Sequence, residues 1–184
     1  MTIQDEFEEQ ARPHLDGLYR TAFRMAGERA AAEDLVQESF LKAFRAFGQF
    51  QKGSNFKAWI YTILTRTFIN EYRRRSRAPI VTDFSEVEPA GVDELPVLTA
   101  EDVERLGDRL GDPARQALAR VPEELRLVFL LSTFEDLNYR EIAPALEIPI
   151  GTVMSRLFRA RRILREELAA FAREEGYLKG RPAP

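Results

Sequence analysis

Apolar residues recur every three or four positions through most of the chain, and no strict alternation persists. The spacing predicts helices throughout. In the first 78 residues it predicts four pieces. The first is a turn or two from Phe7 to Arg12. The second is a helix opened by Pro13 and running to about Ala26. The third runs from about Arg29 to Phe47. After the loop "GQFQKGS", a long helix runs from about Asn55 to Ser76. Beyond residue 112 the pattern resumes, with helices at about Asp112–Arg120, Pro122–Phe134, Tyr139–Leu146 and Ile150–Glu174. Leu35, Val36, Phe40, Phe44 and Phe47 are expected to point inward on the third helix. Phe56, Trp59, Ile60 and Ile63 share the core face of the fourth.

The stretch between the two blocks reads differently. "APIVTDFSEVEPAGVDELPV" has three prolines and many acids, so it is expected to be a linker. A short helix near Ala100–Leu110 is the most structure it predicts. The chain thus divides into an all-α unit over 1–78, an acidic linker over 79–112 and a second all-α unit over 113–184. Charge follows the same division. The formal net charge is −3, but the linker alone carries two basic and ten acidic residues. The flanking blocks come out at +3 and +2. An acidic total therefore says nothing against nucleic acid as a partner.

Composition excludes several chemistries. The chain has no cysteine and one histidine, His14. That rules out disulfides and thiolate metal sites and leaves no basis for a catalytic triad. No cofactor or metal is expected. No apolar run reaches the roughly 20 residues that span a bilayer, so a cytoplasmic protein without membrane insertion is expected. An enzyme is not, because no phosphate-binding glycine loop is present and the carboxylates are spread along helix faces.

Two segments carry candidate chemistry. The first is "NYREIAPALEIPIGTVMSRLFRARRIL". Asn138 and Glu141 stand in capping-box spacing ahead of a short helix. "EIP" makes a tight turn, and a helix with four arginines in its first fifteen residues follows. Short helix, turn and basic helix spell a helix-turn-helix. At 100° per residue, Leu157, Ala160 and Leu164 fall within about 40° of Val153, and Ile150 and Leu168 lie about 60° away. That is a stripe to be buried. Opposite it lie Gly151, Thr152, Ser155, Phe158, Arg159 and Arg162, with Met154 at the edge. Arginine can pair with guanine edges, and serine or threonine can reach bases or phosphates. Pro144 removes one backbone bond from the short helix.

The second is "FKAWIYTILTRTFINEYRRRSR". Aromatics interleave with arginines, which suits single-stranded nucleic acid. Arg73, Arg74 and Arg75 cannot all pair within one helix, so phosphate contact is expected there. On the preceding helix Asp34, Gln37, Glu38, Leu41 and Arg45 form, by chemistry alone, an ordinary solvated face.

"AEDLVQESFLKAFRAFGQF", "FKAWIYTILTRTFINEYRRR" and "YREIAPALEIPIGTVMSRLFRARRIL" together, in this order, resemble the extracytoplasmic-function group of bacterial sigma factors, within the sigma-70 family. The resemblance covers about residues 10–77 and 113–170. It implies sigma regions 2 and 4, the first binding the β′ clamp helices of core RNA polymerase and opening the −10 element. The second would read the −35 element of promoter DNA and touch the β flap. It turns Asp34, Gln37, Glu38, Leu41 and Arg45 into expected polymerase contacts. It places Gln49, Lys52, Ser54, Asn55, Tyr61, Arg66, Arg73 and Arg74 at the −10 element. It places Thr152, Met154, Ser155, Phe158, Arg159 and Arg162 at the −35 element. It also implies an anti-sigma protein wrapped between the two blocks. "ILTRTFINEYRRR" and "PIGTVMSRL" resemble the subgroup whose anti-sigma proteins bind zinc. Three positions depart from the family's usual pattern: Met154 where Lys or Arg is common, Arg66 where Asn is common, and Glu147 where the turn usually has Gly. The competing reading is a helix-turn-helix regulator that binds duplex DNA without polymerase. It would leave the aromatic-arginine helix and the acidic linker without a role.

Overall fold

The structure is a computed structural model, and it describes residues 2–75 and 115–174. The acidic linker, its expected short helix and the side chain of Arg73 lie outside the described residues. Among these, all regular structure is helical. The first block holds α1 (Ile3–Ala11), α2 (Leu15–Ala26), α3 (Arg29–Ala46) and α4 (Phe56–Arg75). Short 3₁₀ turns at Arg12–His14 and Phe47–Gln49 join them. The second holds α5 (115–120), α6 (Glu123–Thr133), α7 (Tyr139–Leu146) and α8 (Ile150–Glu174).

The first helix is longer than apolar spacing predicts. Thr2 Oγ1 accepts from the Asp5 amide at 3.1 Å, and the Thr2 amide donates to Asp5 at 2.7 Å. This capping box satisfies two free amides and starts α1 four residues early. Pro13 sits in the 3₁₀ turn, so α2 starts two residues after it. Gly27 ends α2 in the left-handed region at φ 74°, which glycine adopts without strain.

Leu18, Ala22, Leu35, Ile60 and Leu64 make the first core. Beside it lies an aromatic cluster. Phe7 meets Phe47 edge-on at 5.3 Å, and Phe50 meets Trp59 at 5.0 Å. Such pairs add about 0.5–1.5 kcal/mol beyond their burial. Phe44 corrects the sequence reading. Its ring touches Phe7 at 5.5 Å, yet the residue stays exposed, because nothing covers its other side. The second core is Val128, Leu130, Leu131, Ile142, Val153 and Leu157. The expected stripe of α8 is buried at Val153, Leu157, Ala160 and Leu164. Ile150 is exposed instead, since it opens α8 at the tip of the turn.

The two blocks also pack on each other. α4 lies against α7, and α2 touches α6. In this conformation α7 itself occupies the face of α4.

Candidate nucleic-acid interface

The helix-turn-helix is built as its sequence dictates. Asn138 Oδ1 accepts from the Arg140 amide at 2.9 Å and the Glu141 amide at 3.2 Å. The Asn138 amide donates to Glu141 at 2.9 Å, completing the box. Glu147 ends α7 in the left-handed region at φ 57°, a conformation that suits glycine better. The Ile148 amide then donates to the Ala143 carbonyl at 3.0 Å, and α8 begins.

Along α8, Met154 is 53% exposed and Phe158 48%. Thr152, Ser155 and Arg159 are half-buried, and Arg162 is exposed. The Ser155 hydroxyl donates to the Thr152 carbonyl at 3.1 Å. Arg162 lies 3.9 Å from Glu166, a loose solvent-exposed pair. Arg156 turns the other way and bonds Glu124 on α6 at 2.8 Å, so it fixes α8 to its own block. The six residues expected at the −35 element thus lie on the outward side of one helix.

The residues expected at the −10 element divide. Gln49, Lys52, Ser54 and Asn55 are exposed in the turn before α4, where Gly53 takes φ 87°. Lys52 pairs with Glu6 at 2.7 Å, and the Ser54 hydroxyl donates to the Gln51 carbonyl at 2.7 Å. Asn55 caps α4 by accepting from the Ala58 amide at 3.2 Å. Its side-chain amide donates to Glu141 of the second block at 2.7 Å. Arg66 is exposed on α4 and donates to the Pro144 carbonyl at 2.7 Å. Arg74 lies 3.6 Å from Glu71.

Tyr61 is a correction. It was expected at DNA, but it is 1% exposed. Its hydroxyl bonds Glu135, and burial with that bond pushes its pKa far up. Glu135 is itself only 5% exposed, although it is an acid. It also accepts a short hydrogen bond from the Thr21 hydroxyl, and Lys57 Nζ approaches to 3.7 Å. Three groups of the first block therefore surround one carboxylate of the second. Gly17 makes room for them, since a Cβ there would stand 2.7 Å from the Tyr61 hydroxyl. Arg24 lies over the Phe134 ring at 3.9 Å. His14, stacked on Phe56, lines the same polar cavity of about 310 Å³. Its pKa is lowered by burial and by the Lys57 charge, against the pull of Glu135.

Glu135, Thr21, Gly17 and Lys57 were missed from sequence. One signal was present: Glu135 closes the apolar run "LRLVFLLSTF", where an acid needs partners to be tolerated.

Asp34, Gln37, Glu38, Leu41 and Arg45 are all exposed on α3. Leu41 is 57% exposed and, with Phe44, Phe7 and Leu15, lines an apolar groove of about 650 Å³. No helix among the described residues is long and apolar enough to cross a membrane.

Comparison with known proteins agrees with this architecture. The sigma-70 region 2 family matches residues 11–78, and a sigma-70 region 4 family matches 112–164. The ECF RNA polymerase sigma factor SigE of Mycolicibacterium smegmatis is 36% identical over 91% of this chain, which spans 63% of that relative. The RNA polymerase sigma-H factor of Pseudomonas aeruginosa is 34% identical over 82% of this chain and 80% of its own length. Among solved structures, the sigma factor RpoE in complex with the anti-sigma factor NepR, from Bartonella quintana, superposes with a TM-score of 0.66. That match is 27% identical and covers 89% of this chain and 97% of the other. With both regions matched in order around a helix-turn-helix, the chain belongs to the extracytoplasmic-function group of the sigma-70 family, whose members are transcription initiation factors and not enzymes.

Proposed function

We propose that the chain binds core RNA polymerase through the outward face of α3 and carries it to promoter DNA. The observation that carries this is the face itself. Asp34, Gln37, Glu38, Leu41 and Arg45 stand exposed together, with Leu41 and Phe44 beside an apolar groove. Exposed apolar surface of this kind needs a partner. The β′ clamp helices fit it as partner, and the β flap would meet the second block. The outward side of α8 then reads the −35 element, and the turn before α4 with Asn55, Arg66 and the Arg73–Arg74 stretch holds the −10 strand.

The α3 assignment is tested by core polymerase pull-down. Leu41→Asp should abolish capture while leaving the helical content unchanged, because the side chain is already in solvent. Undiminished capture would move the polymerase contact elsewhere.

Off the polymerase, the α3 groove and Phe158 are open apolar surface, and we assign them to an anti-sigma protein in the cytoplasm. The complex of RpoE with NepR supports a partner of that kind. The likeness of "ILTRTFINEYRRR" to its subgroup favours one that binds zinc. Hydrogen exchange on the complex with a co-purified inhibitor should protect segments 34–45 and 154–162, and metal analysis should find zinc in the inhibitor. Protection of neither segment would place inhibition elsewhere.

A further inference from the structure

We infer that three acids of the second block, Glu135, Glu141 and Glu147, clasp the −10 face of the first block and hold the free chain in a form that cannot take single-stranded DNA. The inference rests on the assignment of that face to the −10 strand.

Two of these acids engage donors assigned to the strand, and the third anchors them to the first block. Glu141 accepts the side-chain hydrogen bond of Asn55 at 2.7 Å. Glu147 lies 3.5 Å from the Arg66 guanidinium. Glu135 draws in Lys57 at 3.7 Å, beside the Thr21 and Tyr61 hydroxyls. A strand would bring anionic oxygens to Asn55 and Arg66, so Glu141 and Glu147 compete with the DNA for them. The steric case agrees. Arg66 reaches the Pro144 carbonyl at 2.7 Å, so α7 lies directly over the face.

The clasp is unequal. It engages Asn55 and Arg66 but leaves α8 free, since Met154, Phe158 and Arg162 remain exposed in the closed form. The free chain should therefore keep whatever weak affinity for duplex DNA the α8 face has, and lose affinity for single strands. Opening the blocks is then a separate step that the polymerase must drive. The charges fit a reversible contact. Glu141 and Glu147 pair at the solvent edge, where such bonds are individually weak. Glu135 is buried, so its three partners make the contact specific.

The test uses the full chain with Glu135→Gln, Glu141→Gln and Glu147→Gln combined. Because the chain has no cysteine, Ala30→Cys and Arg140→Cys carry a fluorophore pair that reports separation of the blocks. The DNA probes are fluorescent randomised pools, a single strand of about 12 nucleotides and its duplex counterpart. The triple variant should show lower energy transfer and at least about tenfold tighter single-strand binding, because apparent affinity scales with the open fraction. Duplex binding should change by less than about twofold, since α8 is free in both forms. Glu141→Gln with Glu147→Gln alone, both outside the core, should move both readouts the same way by a smaller factor; this covers the chance that the buried change disturbs folding. Unchanged energy transfer in both variants would overturn the clasp. So would opening without tighter strand binding, if the wild-type chain on core polymerase holds the strand. Failure of every chain to hold the strand, even on polymerase, would remove the −10 assignment and the inference with it.

Discussion

Arg66 on α4 and Glu147 at the end of α7 form an ion pair of 3.5 Å across the two blocks. Both are positions where the chain departs from the pattern of the family it resembles. Two departures that look unrelated in sequence, 81 positions apart, are thus partners in space. Glu147 makes this contact from the left-handed position that ends α7.

Glu147→Gly separates the two roles of that residue. It relieves backbone strain of about 1 kcal/mol and removes a surface pair worth about 0.2–1 kcal/mol. Stability in urea should change by less than about 1 kcal/mol, while the interblock energy transfer should fall. A loss of several kcal/mol would mean that the pair is far stronger than its exposure allows.

Gly17→Ala should act in the opposite direction to helix propensity. Alanine favours the interior of α2 by about 1 kcal/mol. Its Cβ would stand 2.7 Å from the Tyr61 hydroxyl, so the Glu135 cluster must shift. Overpacking of this kind costs about 1–3 kcal/mol. Thermal unfolding followed by circular dichroism should show a lower midpoint. A raised midpoint would show that the cluster yields without cost.

His14 makes stability pH-dependent. Its pKa in the folded chain lies below the ordinary 6.5, through burial first and the Lys57 charge second. The unfolded chain therefore takes up the proton first. The contribution is complete above pH 6.5 and is lost as pH falls through 6.5 towards the lower folded value. Urea midpoints measured across this range should decline on acidification, and His14→Gln should flatten the decline. An equal slope in both chains would assign it to other groups.

Arg159 and Arg162 should differ in kind. Arg159 has no ion pair among the described residues, and it sits beside Ser155 and Phe158 on the outward side of α8. Arg159→Ala should relax preference at one or two base pairs of the −35 element, by about 1–3 kcal/mol. Arg162→Ala should weaken binding evenly and flatten the salt dependence by about one unit. Equal losses on every −35 variant for Arg159→Ala would make it a phosphate contact.

Much of this was legible in the chain itself. α7 and α8 begin where the capping box and the turn place them, because local hydrogen bonds and apolar period agree there. The start of α1 was not visible in apolar spacing, since a Thr–Asp box and not a hydrophobic face begins it. Tyr61 shows the limit of reading aromatics beside arginines. Periodicity on α4 alone cannot say that α2 and the α6–α7 turn will close over its hydroxyl. The same holds for Glu135, whose partners are 74 to 114 positions earlier in the chain. Contacts between blocks leave no period in a sequence, so the clasp emerged only from the structure.

The central claim is that DNA recognition by this chain depends on polymerase. It is tested most directly by run-off transcription on a randomised promoter library, with core polymerase alone, the chain alone, and both together. Only the mixture should give transcripts, from templates sharing two elements at fixed spacing, and the chain alone should give no tight, specific gel shift at physiological salt. Nanomolar specific binding by the chain alone, with no polymerase-dependent transcripts, would contradict the account and favour a regulator of duplex DNA.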